Sequence, residues 1–394
     1  MFQVRHASWI ALFAASFFAS LVQAQRVDTL KMALRWEVSD GVHPTADSLG
    51  RLSGIAMDAA GVVYVSDIAD ARVWVFAPDG RSVRSIGRKG RGPGEFESPT
   101  GIGIGPDGKL YVRDAVHVSR FGPDSETRRL TRFESSFRGP PFADWASLLA
   151  TRFDRDGHLF YPSFNSMNRA QRTGLFFQYT LAGELSDSLE VPAFPRAPST
   201  TAYVRIDASG GRVLKGLSHV PFAHLPVWDL TPRGTLVYGD GETYALRETD
   251  RAGRVVREYR RAVAPLRIPA RERRDSLAAL TARLDSITVP WSQVGGVPEA
   301  VRARQVPEHY PPFLAVYAAE DGRIWVRRWV ANDEARTVFD VFDADGRFSR
   351  VVELPRRIAA YPTPVLNLSA VVAIGIDPET GAHSILRFGG PEKR

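Results

Sequence analysis

The chain has 394 residues, more than one compact core usually organises, and its 44% hydrophobic content excludes a largely disordered polymer. Its 33 Gly and 27 Pro stand beside 22 Phe, 11 Tyr and 8 Trp, so many tight turns and many aromatic strand positions occur together, which favours one repeat architecture over two ordinary domains. The net charge of +7 comes from scattered Arg rather than the concentrated basic stripe of a nucleic-acid binder; it implies solubility and a mild preference for anionic partners such as polysaccharide or lipid headgroups.

Residues 1–24 read as a cleavable signal peptide. Arg5 and His6 lead an apolar run from Trp9 to Ala19, and Val22-Gln23-Ala24 offers small residues before a cleavage point at Ala24/Gln25. The run is shorter than the roughly 20 residues of a membrane span, and no second run of that length follows, so no integral membrane domain is expected. A retained amino-terminal anchor is the alternative. With no Cys there is neither a lipoprotein acyl site nor a disulfide. The expected address is periplasmic or secreted, and the mature chain, 25–394, is read as one domain.

Beyond the signal, Leu34-Arg35-Trp36-Glu37-Val38 alternates like a strand but has no neighbour of its own. The next stretch does: Gly54–Asp58, a turn at Ala59-Ala60-Gly61, Val62–Asp67, Arg72–Phe76, a turn at Ala77-Pro78-Asp79-Gly80, and Ser82–Ile86. Short alternating runs joined by Gly- or Asp-bearing turns are successive hairpins, and four antiparallel strands make one propeller blade. The unit recurs at Gly101–Ile104, Leu110–Asp114 and Val118–Phe121, then at Ala150–Phe153, Leu159–Tyr161 and Leu175–Tyr179. A fourth copy spans Val227–Leu230, Leu236–Asp240 and Tyr244–Glu248; a fifth Ala315–Tyr317, Ile324–Arg327 and Val338–Phe342. A weaker sixth, Val365 to Phe388, shows only three strands. The fold class is therefore all-β, a six-bladed β-propeller of four-stranded antiparallel blades, and the unpartnered Leu34–Val38 is expected to close the ring by completing the last blade.

The run Gly87-Arg88-Lys89-Gly90, Gly94-Glu95-Phe96, Pro99-Thr100-Gly101-Ile102, Asp107-Gly108 and Tyr111-Val112-Arg113-Asp114 resembles the NHL repeat, and the mature chain is similar to secreted six-bladed propellers carrying such repeats. The match is specific in blades one and two and a matter of pattern in blades three to six. Where the family has Asn in the loop after Tyr-Val-x-Asp, blade one has Asp70. The resemblance brings in amidating lyases with a channel zinc and six-bladed calcium-dependent lactonases, although no residue-by-residue match to either is found.

Two insertions interrupt the rhythm. Residues near 191–224 carry strand-like pieces at Tyr203–Ile206 and Gly211–Leu214, which suggests a hairpin or a loop crossing one face. Within 265–312, residues 270–287 switch to helical spacing with Leu277, Leu280 and Leu284 on one stripe, so one helix is expected between blades four and five.

Most chemical motifs resolve to turns. Gly87 to Gly94 lacks the Gly-Lys-Ser/Thr end and following helix of a phosphate loop. Asp154-Arg155-Asp156-Gly157 and Asp343-Ala344-Asp345-Gly346 begin like calcium loops without the downstream bidentate Glu. Gly216-Leu217-Ser218-His219 is not a nucleophile elbow, and the mature chain's seven His (43, 117, 158, 219, 224, 309 and 383) show no paired metal spacing. Asp67, Asp114 and Asp240 each end a second strand, where they can tie loop amides; alternatively ring symmetry gathers them, with Arg113, at one channel mouth as candidate ligand residues. Two function classes follow: an extracytoplasmic, monomeric binding propeller for a protein, peptide or glycan, with no cofactor evident, or a calcium- or zinc-dependent lyase or lactonase acting in the channel. Whether the chain is an enzyme stays open.

Overall fold

The structure, a computed structural model, describes residues 28–39, 49–114, 117–122, 127–132, 151–163, 175–190, 203–208, 211–216, 220–285, 294–295, 306–331, 334–377 and 380–390. The signal-peptide segment lies outside the described residues. Blade one pairs Leu52–Met57, Val63–Asp67, Arg72–Phe76 and Ser82–Ile86 in that order from the axis outward. Blade two is Gly101–Ile104, Leu110–Arg113, His117–Phe121 and Thr127–Arg132; blade three is Arg152–Phe153, Leu159–Ser163, Leu175–Tyr179 and Leu185–Glu190. Blade four is Val227–Leu230, Leu236–Gly239, Ala245–Thr249 and Val255–Arg260, and blade five Ala315–Ala318, Ile324–Arg327, Thr337–Phe342 and Phe348–Leu354. Blade six supplies Val365–Leu366, Ala370–Ile376 and His383–Gly389 itself, and takes its outer strand, Ala33–Ser39, from the other end of the described chain in antiparallel register with Glu37 opposite Leu386. The expected closure is present.

Each blade buries its faces against its neighbours. Apolar clusters fill every seam: Trp74 and Phe76 with Val372 and Ile374 between blades six and one, Val73 with Ile102 between one and two, and Tyr111 with Leu159 between two and three. Phe176 meets Trp228 between three and four, Tyr259 meets Phe342 between four and five, and Trp325 and Phe339 meet Val371 and Phe388 between five and six. The first hairpin turn of blade one is set by its Asp and Gly. In blade one Asp58 Oδ1 accepts the amides of Ala60 and Val62, and Gly61 takes the left-handed φ of 82° that closes the turn.

Two features extend the pattern. Thr29–Lys31 pairs in parallel with Phe348–Leu354, so blade five has a fifth, outermost strand. The first insertion forms the hairpin Tyr203–Ala208 with Gly211–Gly216, joined by Val294–Gly295. In the second, helix α1 (Ala270–Asp285) stands between blades four and five with Leu280 buried and Arg273 Nη2 donating to the Val306 carbonyl at 3.1 Å, so Arg273 belongs to the packed side of the helix.

Blade four carries a fully buried carboxylate, Glu248. It accepts from Arg233 Nη2 at 2.9 Å, Arg257 Nη1 at 2.7 Å, Tyr259 Oη at 2.6 Å and the Thr235 hydroxyl. Burial pulls its pKa up, but the hydrogen bonds of Thr235 and Tyr259 and the charge of Arg233 outweigh that and hold it below the ordinary 4.5. A depressed folded pKa adds stability above the unfolded value and loses it as pH falls through the folded one. Tyr259→Phe is therefore expected to cost about 2 kcal/mol in urea unfolding. The stability gap between the parent protein and Glu248→Gln should be widest at pH 7 and shrink below pH 4.5; an equal gap at pH 3 and 7 would contradict this account. A chain beginning at residue 40 exposes the open edge of blade six, and gel filtration with a thermal melt should show association and loss of a cooperative transition.

Candidate functional site

The inner strands surround a cavity of about 990 Å³ that opens on the face formed by the first hairpin turns of the blades. Its wall includes Asp58, Arg152, Asp154, Arg155, Tyr317 and Glu320, with Arg387 at the rim. On the opposite side Tyr361, from the connection between blades five and six, crosses the axis to pack against the core shared by blades three and four. Burial pushes its hydroxyl well above the usual range, as it does that of Tyr317 beneath it. Of these two rings, Tyr317 reaches the wall of the cavity.

An inner strand has no partner on its axial side, so its groups there must find others. Asp229 does this across three blades. Its Oδ2 accepts from Arg152 Nη2 of blade three at 2.5 Å and from the Ala318 amide of blade five at 2.9 Å, while Oδ1 takes its neighbour Leu230's amide at 2.8 Å. On the far side Thr151 N donates to the Ile102 carbonyl, and Ser53 Oγ to that of Pro99. Glu320, reached by water at the mouth, is pushed up by the desolvating channel walls, while Arg152 pulls it back.

The carboxylates differ sharply in how committed they are. Asp154 is buried at the rim; its Oδ1 accepts the amides of Asp156 and His158, both its oxygens face His158 Nδ1, and Oδ2 also accepts from Gln178 Nε2. Asp154, Asp156 and His158 place one potential ligand atom each within 4.8 Å of one another. As donors to a calcium or zinc ion they fit badly, because N–H groups already occupy the Asp154 lone pairs and only one further carboxylate stands beside them. By contrast, Arg155 is exposed and has no ion-pair partner among the described residues. Arg387 Nη1 donates to the carbonyls of Gly61 and Pro78, which are neutral acceptors and leave its charge uncompensated. The mouth therefore offers two guanidinium charges that no carboxylate of the described residues offsets.

Asp67, Arg113, Asp114 and Asp240 lie at the other ends of the second strands, away from this cavity, and the structure does not bring them together. Asp67 is fully buried and accepts the amides of Gly50 at 2.8 Å and Ala69 at 3.0 Å, with the Trp74 indole at 3.4 Å. Asp114 accepts the amides of Glu97 and Ser98, Arg113 Nε donates to Thr100 Oγ1, and Asp240 accepts the amide of Glu242. Each anchors its own loop. The residues missed in the sequence are Arg152, Asp229 and Arg155. A lone Asp inside the apolar run Val227–Leu230 was the signal, since a buried charge needs a partner.

The DUF5128 family, described as a 6-bladed beta-propeller, matches residues 46–137. No curated protein matches the sequence. Among solved structures, a member of the DUF4221 family from Bacteroides vulgatus is 12% identical with a TM-score of 0.48, covering 93% of this chain and 99% of that one. Virginiamycin B lyase from Staphylococcus aureus is 12% identical at a TM-score of 0.43, covering 90% and 99%. A calcium-binding regucalcin from Agrobacterium tumefaciens is 14% identical at 0.40, covering 92% and 97%. At such identities and scores these likenesses carry no argument about activity.

Asp229→Ala should cost about 3 kcal/mol in denaturant unfolding, because it leaves the Arg152 charge and the Ala318 amide without their acceptor. Asp229→Asn, which keeps an oxygen for the amide, should cost clearly less; equal losses would mean that the inter-blade tie is not what Asp229 supplies.

Proposed function

We propose that the chain is a recognition module, an extracytoplasmic propeller of the NHL-repeat kind that acts as a monomer and holds an anionic group of a peptide or glycan partner in the mouth of its axial well. The observation that carries this reading is Arg155, exposed on the rim of a 990 Å³ cavity and without an ion-pair partner among the described residues. Arg387 adds a second charge held only by carbonyl oxygens. A carboxylate arriving there would meet planar, multidentate donors, the geometry in which Arg gains most over Lys. Of the nearby carboxylates, Asp58 and Asp154 serve their own turns and Asp229 is held by Arg152, so Glu320 is the wall carboxylate that an incoming anion must share the mouth with. The signal-like residues 1–24 support the extracytoplasmic address.

A calcium- or zinc-dependent lyase or lactonase is the second reading, favoured by the clustering of Asp154, Asp156 and His158 at the rim. The two readings separate by calorimetry on the purified protein. The first expects oligogalacturonate or a glutamate-rich peptide to bind, with affinity falling about tenfold in Arg155→Ala, a loss of about 1.4 kcal/mol, and falling again as salt rises. It fails if neither probe binds or if Arg155→Ala binds as the parent does. The second expects stoichiometric metal and a thermal shift on adding calcium or zinc, abolished in His158→Ala.

A further inference from the structure

The face opposite the axial well carries a separate cavity of about 530 Å³ between blades four and five. It is assembled from five stretches of the chain. His224 precedes the inner strand of blade four, Glu242 and Tyr244 follow its second strand, and Glu308 to Pro312 with Arg328 and Trp329 come from the approach to blade five and its own second loop. Two backbone hydrogen bonds tie the walls together: Tyr310 N donates to the Leu266 carbonyl and Ile268 N to that of Glu308. Pro265, Pro307, Pro311 and Pro312 stiffen the lining, so the shape is formed in advance of any ligand.

One wall is aromatic. Tyr310 and Trp329 stack with ring centroids 5.4 Å apart and planes 18° from parallel, and Phe222 meets both edge-on at 5.2 and 5.7 Å. Phe222 holds this place with a left-handed φ of 59°, a conformation a bulky side chain adopts only where its surroundings enforce it. Glu272 of α1 fixes Tyr310 by accepting its hydroxyl at 2.6 Å. The inserted helix therefore serves to brace this wall.

The charges are unevenly committed. The cation of the lining, Arg328, sits 4.0 Å from the buried Asp340, which also accepts from Tyr244 Oη at 2.6 Å and from Arg261. The carboxylates of Glu242 and Glu308 are exposed and have no ion-pair or hydrogen-bond partner among the described residues. Trp329 Nε1 and His224 Nδ1, both in residues of the lining, likewise lack a partner there. Two uncommitted carboxylates beside the face of a stacked indole form a receptor for an organic cation, which gains both charge pairing and the negative ring face.

We propose that this cavity is a second binding site and that it takes the guanidinium of an Arg side chain in a basic peptide segment. The guanidinium lies flat on the Trp329 face with its N–H groups on Glu242 and Glu308. A neutral saccharide would use the same aromatic wall without needing either carboxylate, and that difference sets the test.

Titration of the whole protein with N-acetyl-Gly-Arg-Gly-amide, followed by tryptophan fluorescence and calorimetry, should show saturable binding that weakens as salt is raised. The citrulline analogue has the same shape without the charge and should bind at least tenfold more weakly. Glu242→Gln combined with Glu308→Gln alters only exposed side chains and should weaken the Arg peptide about tenfold with the melting temperature unchanged, and Trp329→Leu should remove the fluorescence response. Equal binding of the citrulline peptide, unaltered binding in the double variant, no binding of the Arg peptide, or tighter binding of maltotriose than of the Arg peptide would each overturn the proposal.

Discussion

The pairing of Ala33–Ser39 with His383–Gly389 is the contact on which the rest of the molecule depends. A single four-stranded blade has two apolar faces and cannot cover either one, so it is stable only between two neighbours. In a line of six blades the first and last would each leave a face and an edge in water. Drawing the outer strand of the last blade from the beginning of the described chain removes both defects and fixes the number of blades, because Val38 and Leu49 must then share a core with blades one and six.

Ring closure has a cost that falls on the axis. The innermost strands face one another across a space too wide to fill with backbone pairing, and their axial amides need other acceptors. The chain meets this with side chains that reach sideways, Asp229 to Ala318 and Arg152 above all, and with Tyr361 packed against the core of blades three and four. The same solution shapes the well. Carboxylates consumed in holding blades together are removed from chemistry, whereas Arg155 is exposed without an ion-pair partner among the described residues and Arg387 ties blade six to blade one through carbonyls that leave its charge uncompensated.

The sequence shows the strands that are buried and hides those that are exposed. Inner and second strands such as Leu110–Arg113 alternate or run apolar because both faces are covered, and their turns carry Asp and Gly at fixed offsets. Outer strands such as Val255–Arg260 are largely exposed, and their composition, Val-Val-Arg-Glu-Tyr-Arg, owes little to a core. The parallel strand Thr29–Lys31 has three residues and one half-buried position, too short a pattern to read. The site was less legible still. Asp67 and Asp114 advertise themselves by recurring, but recurrence marks what every blade needs, a loop anchor, whereas Arg152, Arg155, Asp229 and Tyr361 occur once each and gain meaning only when six inner strands converge.

The first described strands, Thr29–Lys31 and Ala33–Ser39, belong to adjacent sheets, and Met32 is buried at the step between them with its amide on the Glu353 carbonyl. The chain is thereby sewn across the boundary of blades five and six, and that boundary cannot gape unless the stitch is first drawn out.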